Sequence, residues 1–276
     1  MTDVGSNDEA KKEVNELMGQ SDVFDTPKPV RLINRMVEIA TKKDTFDIVM
    51  DFFAGLGTTG DSVMVQNAND GGNRRYILVQ LPEPLDPENK DQKLAANYCD
   101  KLGKPRNIAE LTKERLRRAG KKIREENPMF AGDIGFRVFK LDTTNIRAWE
   151  PDRGNLSQTL LDSVEHLKAD RSEADALYEL LLKLGLDLCV PMEQKTIVGK
   201  TVHSIGAGTL IVCLAPQISR EEVEPLALGI VEWHKVMAPA GESTMVFRDG
   251  AFADDVAKTN IAAILQQNGL ENVRSL

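Results

Sequence analysis

Apolar residues recur along the chain with two spacings, and each spacing predicts one type of element. Spacings of three and four predict helices, and in 30–41 the apolar stripe is Leu32, Ile33, Met36, Val37 and Ala40. Short apolar runs predict strands; the run 77–79 is continuous, which indicates burial on both faces, as in a parallel sheet. The predicted helices are 8–18, 30–41, 58–67, 88–102, 107–125, 157–168, 172–185, 219–235 and 254–268, and the predicted strands are 47–52, 75–81, 136–141, 197–204, 209–214, 243–248 and 272–276.

Strands and helices alternate in both halves of the chain, which predicts an α/β fold in two parts. Between the halves, 143–157 contains Pro151, Gly154 and two asparagines, a composition typical of a connecting segment. We therefore expect a first domain over 1–142, a linker over 143–157 and a smaller α/β domain over 158–276.

Composition narrows the class of protein. No apolar run approaches the ~18 residues that a membrane-spanning helix needs, and the N-terminus lacks a basic-then-apolar signal pattern. Cys99, Cys189 and Cys213 stand apart, which favours the reducing cytoplasm and argues against disulfides or a structural zinc site. We expect these cysteines to be small buried hydrophobes. The sequence thus predicts no metal and no contact with a membrane.

The net charge of −8 is unevenly distributed. Segment 101–124 holds ten basic and two acidic residues, so it carries +8 and the rest of the chain carries −16. Such a block is a candidate for binding DNA phosphates, and Arg117, Arg118, Lys121 and Lys122 are the predicted contacts. The alternative interpretation is a solvated helix face.

A glycine loop within 51–60 lies between a predicted strand and a predicted helix. This order builds a site where backbone N–H groups at a helix start meet a nucleotide-like ligand. The spacing Gly55-x-Gly57-x-x-Gly60 matches the dinucleotide fingerprint, so a nicotinamide or flavin cofactor is one interpretation. That fingerprint also requires an acid at the end of the next strand, and Gln80 stands there instead.

Diphosphate ligands fit this loop poorly. A Walker loop ends in Gly-Lys-Ser/Thr, and no lysine follows Gly60. Asp61, in the first helical turn, would repel a pyrophosphate. Asp51 can face an ammonium or a sulfonium group, so the residues favour a nucleoside ligand with a positive charge.

Several segments, in one order, resemble the methylation subunits of type III restriction–modification systems. They are 26–29 (Thr-Pro-Lys-Pro), the helix 32–41, 51–59, 71–83, 102–110, 117–123, 135–142 and 252–276. The resemblance implies an S-adenosylmethionine-dependent DNA methyltransferase of the permuted β class, acting on adenine N6. It also implies a partial Rossmann-like methyltransferase sheet in 1–142, followed by a smaller C-terminal α/β domain that docks the restriction (helicase–nuclease) subunit.

The resemblance assigns cofactor contacts position by position. The assigned residues are Lys28, Pro29, Asp51, Phe53, Ala54, Gly55, Gly57, Thr58, Thr59, Gln80 and Glu83. Those of the loop would surround the methionine moiety, and the two threonines would supply hydroxyls at the helix N-terminus. Lys28 and Pro29 would close over the cofactor's carboxylate, while Gln80 and Glu83 would lie near the ribose and adenine. Leu56 stands where the family usually has a small residue.

The resemblance also shows what these residues lack. In the family, an Asp/Asn-Pro-Pro-Tyr-type motif receives the flipped base, and this sequence contains no Pro-Pro pair. In the permuted order, that motif and the target-recognition region precede the segment that begins at Thr26. We therefore expect the C-terminal half of a methylation subunit, with no catalytic residue and no methyl transfer alone. Strand 47–52 would then have an open edge, which predicts self-association or a partner that supplies the N-terminal half.

The remaining candidate residues are expected to have structural roles. His166, His203 and His234 lack neighbours at metal-ligand spacing. We expect Trp149 and Trp233 to pack in hydrophobic cores, and Asp254 and Asp255 to cap a helix. Two alternative functions remain open: a non-catalytic module that binds the restriction subunit, and an NAD-binding oxidoreductase. The second is disfavoured by Gln80 and by the absence of residues arranged for hydride chemistry.

Overall fold

The computed structural model describes residues 4–147, 154 and 167–276. The helices are α1 (Asn7–Met18), α2 (Val30–Ala40), α3 (Thr58–Asp70), α4 (Lys93–Lys101), α5 (Ile108–Glu126), α6 (Glu173–Lys183), α7 (Arg220–Met237) and α8 (Asp255–Gln267). The strands are β1 (Ile48–Phe52), β2 (Arg75–Val79), β3 (Met192–Ile197), β4 (Lys200–Ile205), β5 (Leu210–Cys213), β6 (Thr244–Phe247) and β7 (Asn272–Ser275). The chain divides into two compact units, 1–137 and 138–276, and the predicted mixed α/β fold class is confirmed.

The first unit is built on a parallel pair of strands, β1 and β2, joined through α3. Parallel strands require such a crossover, and α3 provides it. Tyr76 and Leu78 of β2 pack into a cluster with Met64 of α3 and Leu116 of α5. A second cluster joins α1, the loop after β1, α4 and Leu111 of α5, so α5 contributes buried residues to both clusters.

The opposite face of this two-stranded sheet is exposed, contrary to the prediction that β2 is buried on both faces. Phe52 is 63% exposed and Met50 50%; their cross-strand partners Val79 and Ile77 are 38% and 45% exposed. This face is therefore only partly covered, and β1 pairs with β2 alone among the described strands. The apolar run at 77–79 predicted a strand that buries two faces, whereas only the face with Tyr76 and Leu78 packs into a core cluster of the described residues.

The second unit is a five-stranded mixed sheet in the order β3-β4-β5-β6-β7. Strands β3 to β5 are antiparallel, and β5 to β7 are parallel. Side chains alternate along β5: Ile211 packs with α7 and α8, whereas Leu210 and Val212 pack with α6. Helices therefore cover both faces of this sheet, as parallel strands require.

One predicted strand is absent, and another has the wrong bounds. Residues 136–141 form no strand: Phe136 packs against the α3–α5 cluster, and Leu141 is fully exposed. The predicted strand 197–204 corresponds mainly to β4 but begins too early, because Val198 and Gly199 take positive φ angles of 49° and 73° and turn the chain between β3 and β4. The prediction missed β3, the other strand of this hairpin. Most of the predicted helix 157–168 lies outside the described residues.

Several smaller predictions can also be compared with the structure. Trp233 is buried in the core of the second unit, and Asp254 caps α8 by accepting the N–H of Ala257 at 2.8 Å. Cys99 and Cys213 are buried as expected, whereas Cys189 is exposed. Trp149 and His166 lie outside the described residues. Within the described part of the chain, we find no helix whose length and apolarity would let it cross a membrane.

Candidate functional site

The loop between β1 and α3 has a tightly constrained backbone. Phe53, Gly55 and Gly57 take positive φ angles of 61°, 54° and 80°. Such angles suit glycine but are strained for phenylalanine, whose side chain is 73% exposed here. A strained, exposed aromatic residue beside a glycine turn is a common mark of a functional loop.

Two glycines of the fingerprint allow close packing rather than loop mobility. A Cβ on Gly57 would lie 2.9 Å from Cγ2 of Thr112 in α5. A Cβ on Gly60 would lie 2.8 Å from Cδ2 of Leu116. Helix α5 therefore packs directly against the start of α3, and a larger residue at either position would force the facing side chain of α5 to shift.

Replacing Gly57 with alanine is expected to lower the free energy of unfolding of the first unit by about 2–4 kcal/mol, from backbone strain plus crowding against Thr112. The matched control is Gly71→Ala at the other end of α3. Gly71 also has a positive φ, 69°, but a Cβ there would meet no atom within 4 Å, so only backbone strain of about 1–2 kcal/mol applies. Native-state hydrogen exchange of α3 amides measures both; equal losses in the two variants would contradict the packing role of Gly57.

Hydrogen bonds fix the loop at both of its ends. Asp51, at the end of β1, accepts a 2.5 Å hydrogen bond from the hydroxyl of Thr59 in α3. Gln80, just after β2, accepts the N–H of Gly55 through Oε1 at 2.7 Å. The N–H of Ala54 donates to the carbonyl of Val79 at 3.1 Å. The loop is therefore held against the carboxyl ends of both strands.

Asp61 does not present its charge to a ligand. Its Oδ2 lies 2.9 Å from Nη2 of Arg115, and the side chains of Asp61 and Arg115 are only 9% and 1% exposed. Arg115 also donates from Nη1 to the hydroxyl of Thr58 at 2.8 Å. The prediction that Asp61 would repel a pyrophosphate assumed an unpaired carboxylate at the start of α3. That assumption is wrong, because the buried Arg115 forms an ion pair with Asp61.

A cavity of about 570 Å³ opens beside the loop. It is bounded by the segment before α2, one face of α2, the end of β1 and the loop itself. Its lining residues are Phe24, Thr26, Pro27, Lys28, Ile33, Met36, Val37, Ala40, Thr41, Val49, Met50, Asp51, Phe53, Ala54, Gly55, Leu56, Thr58 and Thr59. The volume lies in the range of small-molecule and cofactor sites.

Most of the predicted cofactor residues meet at this cavity. The lining includes Lys28, Asp51, Phe53, Ala54, Gly55, Thr58 and Thr59. Pro29, Gly57, Gln80 and Glu83 are not part of the lining. Leu56 lines the cavity, yet it is only 2% exposed because it also packs into the core with Val14, Met18 and Leu111.

The charges of the lining are few and opposite. Among the described residues that line the cavity, Lys28 and Asp51 alone have ionisable side chains. Lys28 is exposed, and Asp51 is half-buried. The rest of the wall is mainly apolar, with the exposed Met36 among its residues. This arrangement suits a ligand that carries an anionic and a cationic group and also has apolar surface.

Sequence reasoning missed the contribution of α5 to this site. Thr112 and Arg115 are 5% and 1% exposed, and both contact the loop or the first turn of α3. They lie on the same inward stripe of α5 as Leu111, Leu116 and Ala119. This helical spacing is the signal that would have predicted a buried Arg115 and distinguished it from the other basic residues of the helix.

The four basic residues predicted to contact DNA have acidic neighbours on α5. Arg118 lies 2.7 Å from Glu114 and donates to the carbonyl of Met18, and Arg117 lies 3.7 Å from Glu114. Lys121 and Lys122 face Glu125 and Glu126 at 3.7 Å and 3.8 Å. Asp100, Glu125 and Glu126 flank segment 101–124, so 100–126 carries +5 rather than +8. Contact of these four basic residues with DNA phosphates stays a prediction.

The described part of the second unit shows no comparable constellation. His203 lies 2.9 Å from Glu173, and His234 lies 2.8 Å from the hydroxyl of Ser243, where burial lowers the pKa of the imidazole. Among the described residues, no group of three or more His, Cys, Asp or Glu side chains is placed to hold a metal ion.

Comparison with known proteins gives consistent matches. The DNA methylase family model matches residues 3–83, which include the loop and the elements on either side of it. The Mod subunit of the type III restriction–modification enzyme StyLTI of Salmonella typhimurium is 41% identical over 140 residues, which are 51% of this chain and 20% of that protein. The EcoPI Mod subunit of Escherichia phage P1 is 30% identical over 226 residues, 80% of this chain and 32% of that protein. The type II methyltransferase M.KpnI of Klebsiella pneumoniae is 40% identical over 76 residues, 28% of this chain and 18% of that protein.

These matches confirm the resemblance to methylation subunits of type III restriction–modification enzymes. The chain spans between 20% and 32% of the length of the type III relatives it matches. A match of 226 residues is longer than the first unit, so the likeness to the EcoPI subunit extends into the second unit.

Proposed function

We propose that this chain, a relative of the type III methylation subunits, supplies the S-adenosylmethionine-binding part of a DNA adenine-N6 methyltransferase. The observation that carries the proposal is the cavity beside the glycine loop, whose mainly apolar wall includes Lys28 and Asp51. The amino-acid end of S-adenosylmethionine has a carboxylate for Lys28 and an ammonium for Asp51. Apolar side chains of α2 offer surface to the remainder of the cofactor.

An NAD-binding oxidoreductase is the weaker alternative. A ribose-binding acid is absent at the end of β2, where Gln80 is instead bonded to the loop N–H of Gly55. The relatives named above are methylation subunits and a methyltransferase. We also propose that the protein works in the reducing cytoplasm, which agrees with its unpaired cysteines.

We expect residues 1–276 to bind the cofactor without transferring its methyl group to DNA. The sequence contains no Pro-Pro pair, so these residues lack the motif on which a flipped adenine would stack. A filter assay with DNA and S-adenosylmethionine labelled in the methyl group measures transfer. Labelled DNA above the level of a protein-free control would contradict the expectation.

The exposed sheet face is the proposed site for the missing part of the methyltransferase. Exposed parallel strands with a free edge are unusual, because parallel sheets are covered by helices on both faces. We propose that an additional strand pairs with β1 and that helices of the same partner cover Met50, Phe52 and Ile77. The partner is the N-terminal half of a methylation subunit; without it, a second copy of this chain associates through the same face.

A charged substitution on this face is expected to reduce self-association. The double variant Phe52→Glu/Ile77→Glu changes two exposed side chains, so the fold should remain while the apolar face is broken. Sedimentation velocity at about 100 µM should show dimers or larger species for the natural chain and mainly monomer for the variant. The control is Leu182→Glu/Val236→Glu on α6 and α7, two similarly exposed apolar residues of the second unit. A natural chain that stays monomeric would contradict the proposal.

We propose that the second unit docks the restriction subunit. The match to the type III EcoPI Mod subunit reaches beyond residue 137 into this unit. A part shared with a type III relative suits contact with the other subunit of a type III enzyme. Co-purification of the full chain with the restriction subunit of the same system tests this role, and separate elution would contradict it.

A further inference from the structure

The backbone of Gly55 is held from two sides. Gln80 accepts its N–H at 2.7 Å, and the hydroxyl of Thr112 donates to its carbonyl oxygen at 2.5 Å. Gln80 follows β2, and Thr112 belongs to α5, so two separate elements meet at this one glycine. Thr112 is 5% exposed, which shields its hydrogen bond from water.

Each of these side chains also makes a second contact that fixes its direction. Nε2 of Gln80 donates to the carbonyl of Leu81 at 3.1 Å, which turns Oε1 toward Gly55. The hydroxyl of Thr112 also lies 3.1 Å from the carbonyl of Ile108, one turn earlier in α5. The hydroxyl of Thr112 thus lies between the carbonyl oxygens of Ile108 and Gly55, and can donate its single proton to either.

Gly55 needs such support more than its neighbours do. Glycine loses more conformational freedom on ordering than any other residue, and Gly55 has a positive φ of 54°. A loop that is ordered before the ligand arrives binds it more tightly, because binding then does not include the entropy loss of ordering the loop.

We propose that Gln80 and Thr112 are positioning residues that preform the glycine loop for its ligand. Gln80 then acts through Gly55 rather than by touching the ribose or adenine. This assignment also accounts for a glutamine at the position where a dinucleotide-binding protein has an acid: its amide oxygen accepts from the loop, while its amide nitrogen donates to Leu81. The effect on cofactor affinity rests on the proposed function; the effect on loop order does not.

The test combines hydrogen exchange of the loop with cofactor titration. Thr112→Val keeps the side-chain volume and the methyl group near Gly57 but leaves the carbonyl of Gly55 without its donor. Exchange of the amides in 54–58 should become about tenfold faster, and the dissociation constant for S-adenosylmethionine should rise about tenfold. Gln80→Leu should act in the same direction.

Conservative variants separate positioning from a general loss of stability. Thr112→Ser retains the hydroxyl and Gln80→Glu retains an acceptor, so both should recover slow exchange in 54–58. Thr259→Val is the matched control: Thr259 also donates to the carbonyl four residues earlier in its helix, at 2.7 Å, but lies in the second unit. It should leave the loop and the titration unchanged.

The outcomes are distinct. Unchanged exchange in Thr112→Val, or faster exchange with unchanged affinity, would overturn the positioning role. If the natural chain binds no S-adenosylmethionine, the proposed function fails, and the exchange rates alone then decide whether Thr112 and Gln80 hold the loop.

Discussion

Replacing Arg115 with methionine is expected to lower the free energy of unfolding of the first unit by about 3–5 kcal/mol. The methionine fills a similar space, but Asp61 then remains as a buried carboxylate without its cation, and Thr58 loses a hydrogen-bond donor. The cost of an unpaired buried charge exceeds the net value of the ion pair, so the single variant should lose more than a double variant that removes both charges.

Native-state hydrogen exchange of α3 and α5 is the suitable measurement. Both tryptophans of the chain lie beyond residue 137, so tryptophan fluorescence would report on the second unit. The double variant Arg115→Met/Asp61→Asn should recover most of the loss. The control Arg117→Met removes a side chain that is 48% exposed and 3.7 Å from Glu114, and should change stability by no more than about 0.5 kcal/mol. A small loss in the single variant would contradict the structural role of the buried pair.

Replacing Asp51 with asparagine is expected to weaken S-adenosylmethionine binding by about 10–100-fold. Asparagine keeps an oxygen that can accept the hydroxyl of Thr59, so the loop should stay in place. What is lost is the negative charge of the cavity lining, and with it the charge-assisted bond to the cofactor's ammonium group.

Isothermal titration calorimetry measures this effect. Asp44→Asn is the control, because Asp44 is an exposed carboxylate close in sequence that does not line the cavity. Lys28→Met should also weaken binding, by removing the cation expected to face the cofactor's carboxylate. Equal affinities of Asp51→Asn and the natural chain would show that the carboxylate does not face the ligand.

Helices with clear apolar stripes and caps could be predicted from the sequence. Asn107 caps α5 by accepting the N–H of Glu110 at 3.0 Å, and the predicted helix 107–125 differs from the observed one by a single residue at each end. The loop at 51–60 was also predictable, because its glycines specify a turn that few other residues allow. Such features depend on residues close together in sequence.

The errors concern features that depend on distant residues. The spacing along α5 cannot show that Arg115 meets Asp61, which is 54 residues away. The alternation of apolar and polar residues at 136–141 is typical of a strand, yet this segment pairs with no strand among the described residues. The apolar run at 77–79 correctly indicated a strand, but Ile77 and Val79 remain 45% and 38% exposed on its second face.

A calorimetric titration of the purified chain with S-adenosylmethionine and, separately, with NAD decides whether the cavity beside the glycine loop is a methyltransferase cofactor site. We expect saturable binding of S-adenosylmethionine with one site per chain and no binding of NAD. Binding of NAD alone, or binding of neither ligand, would contradict the assignment of this cavity to S-adenosylmethionine.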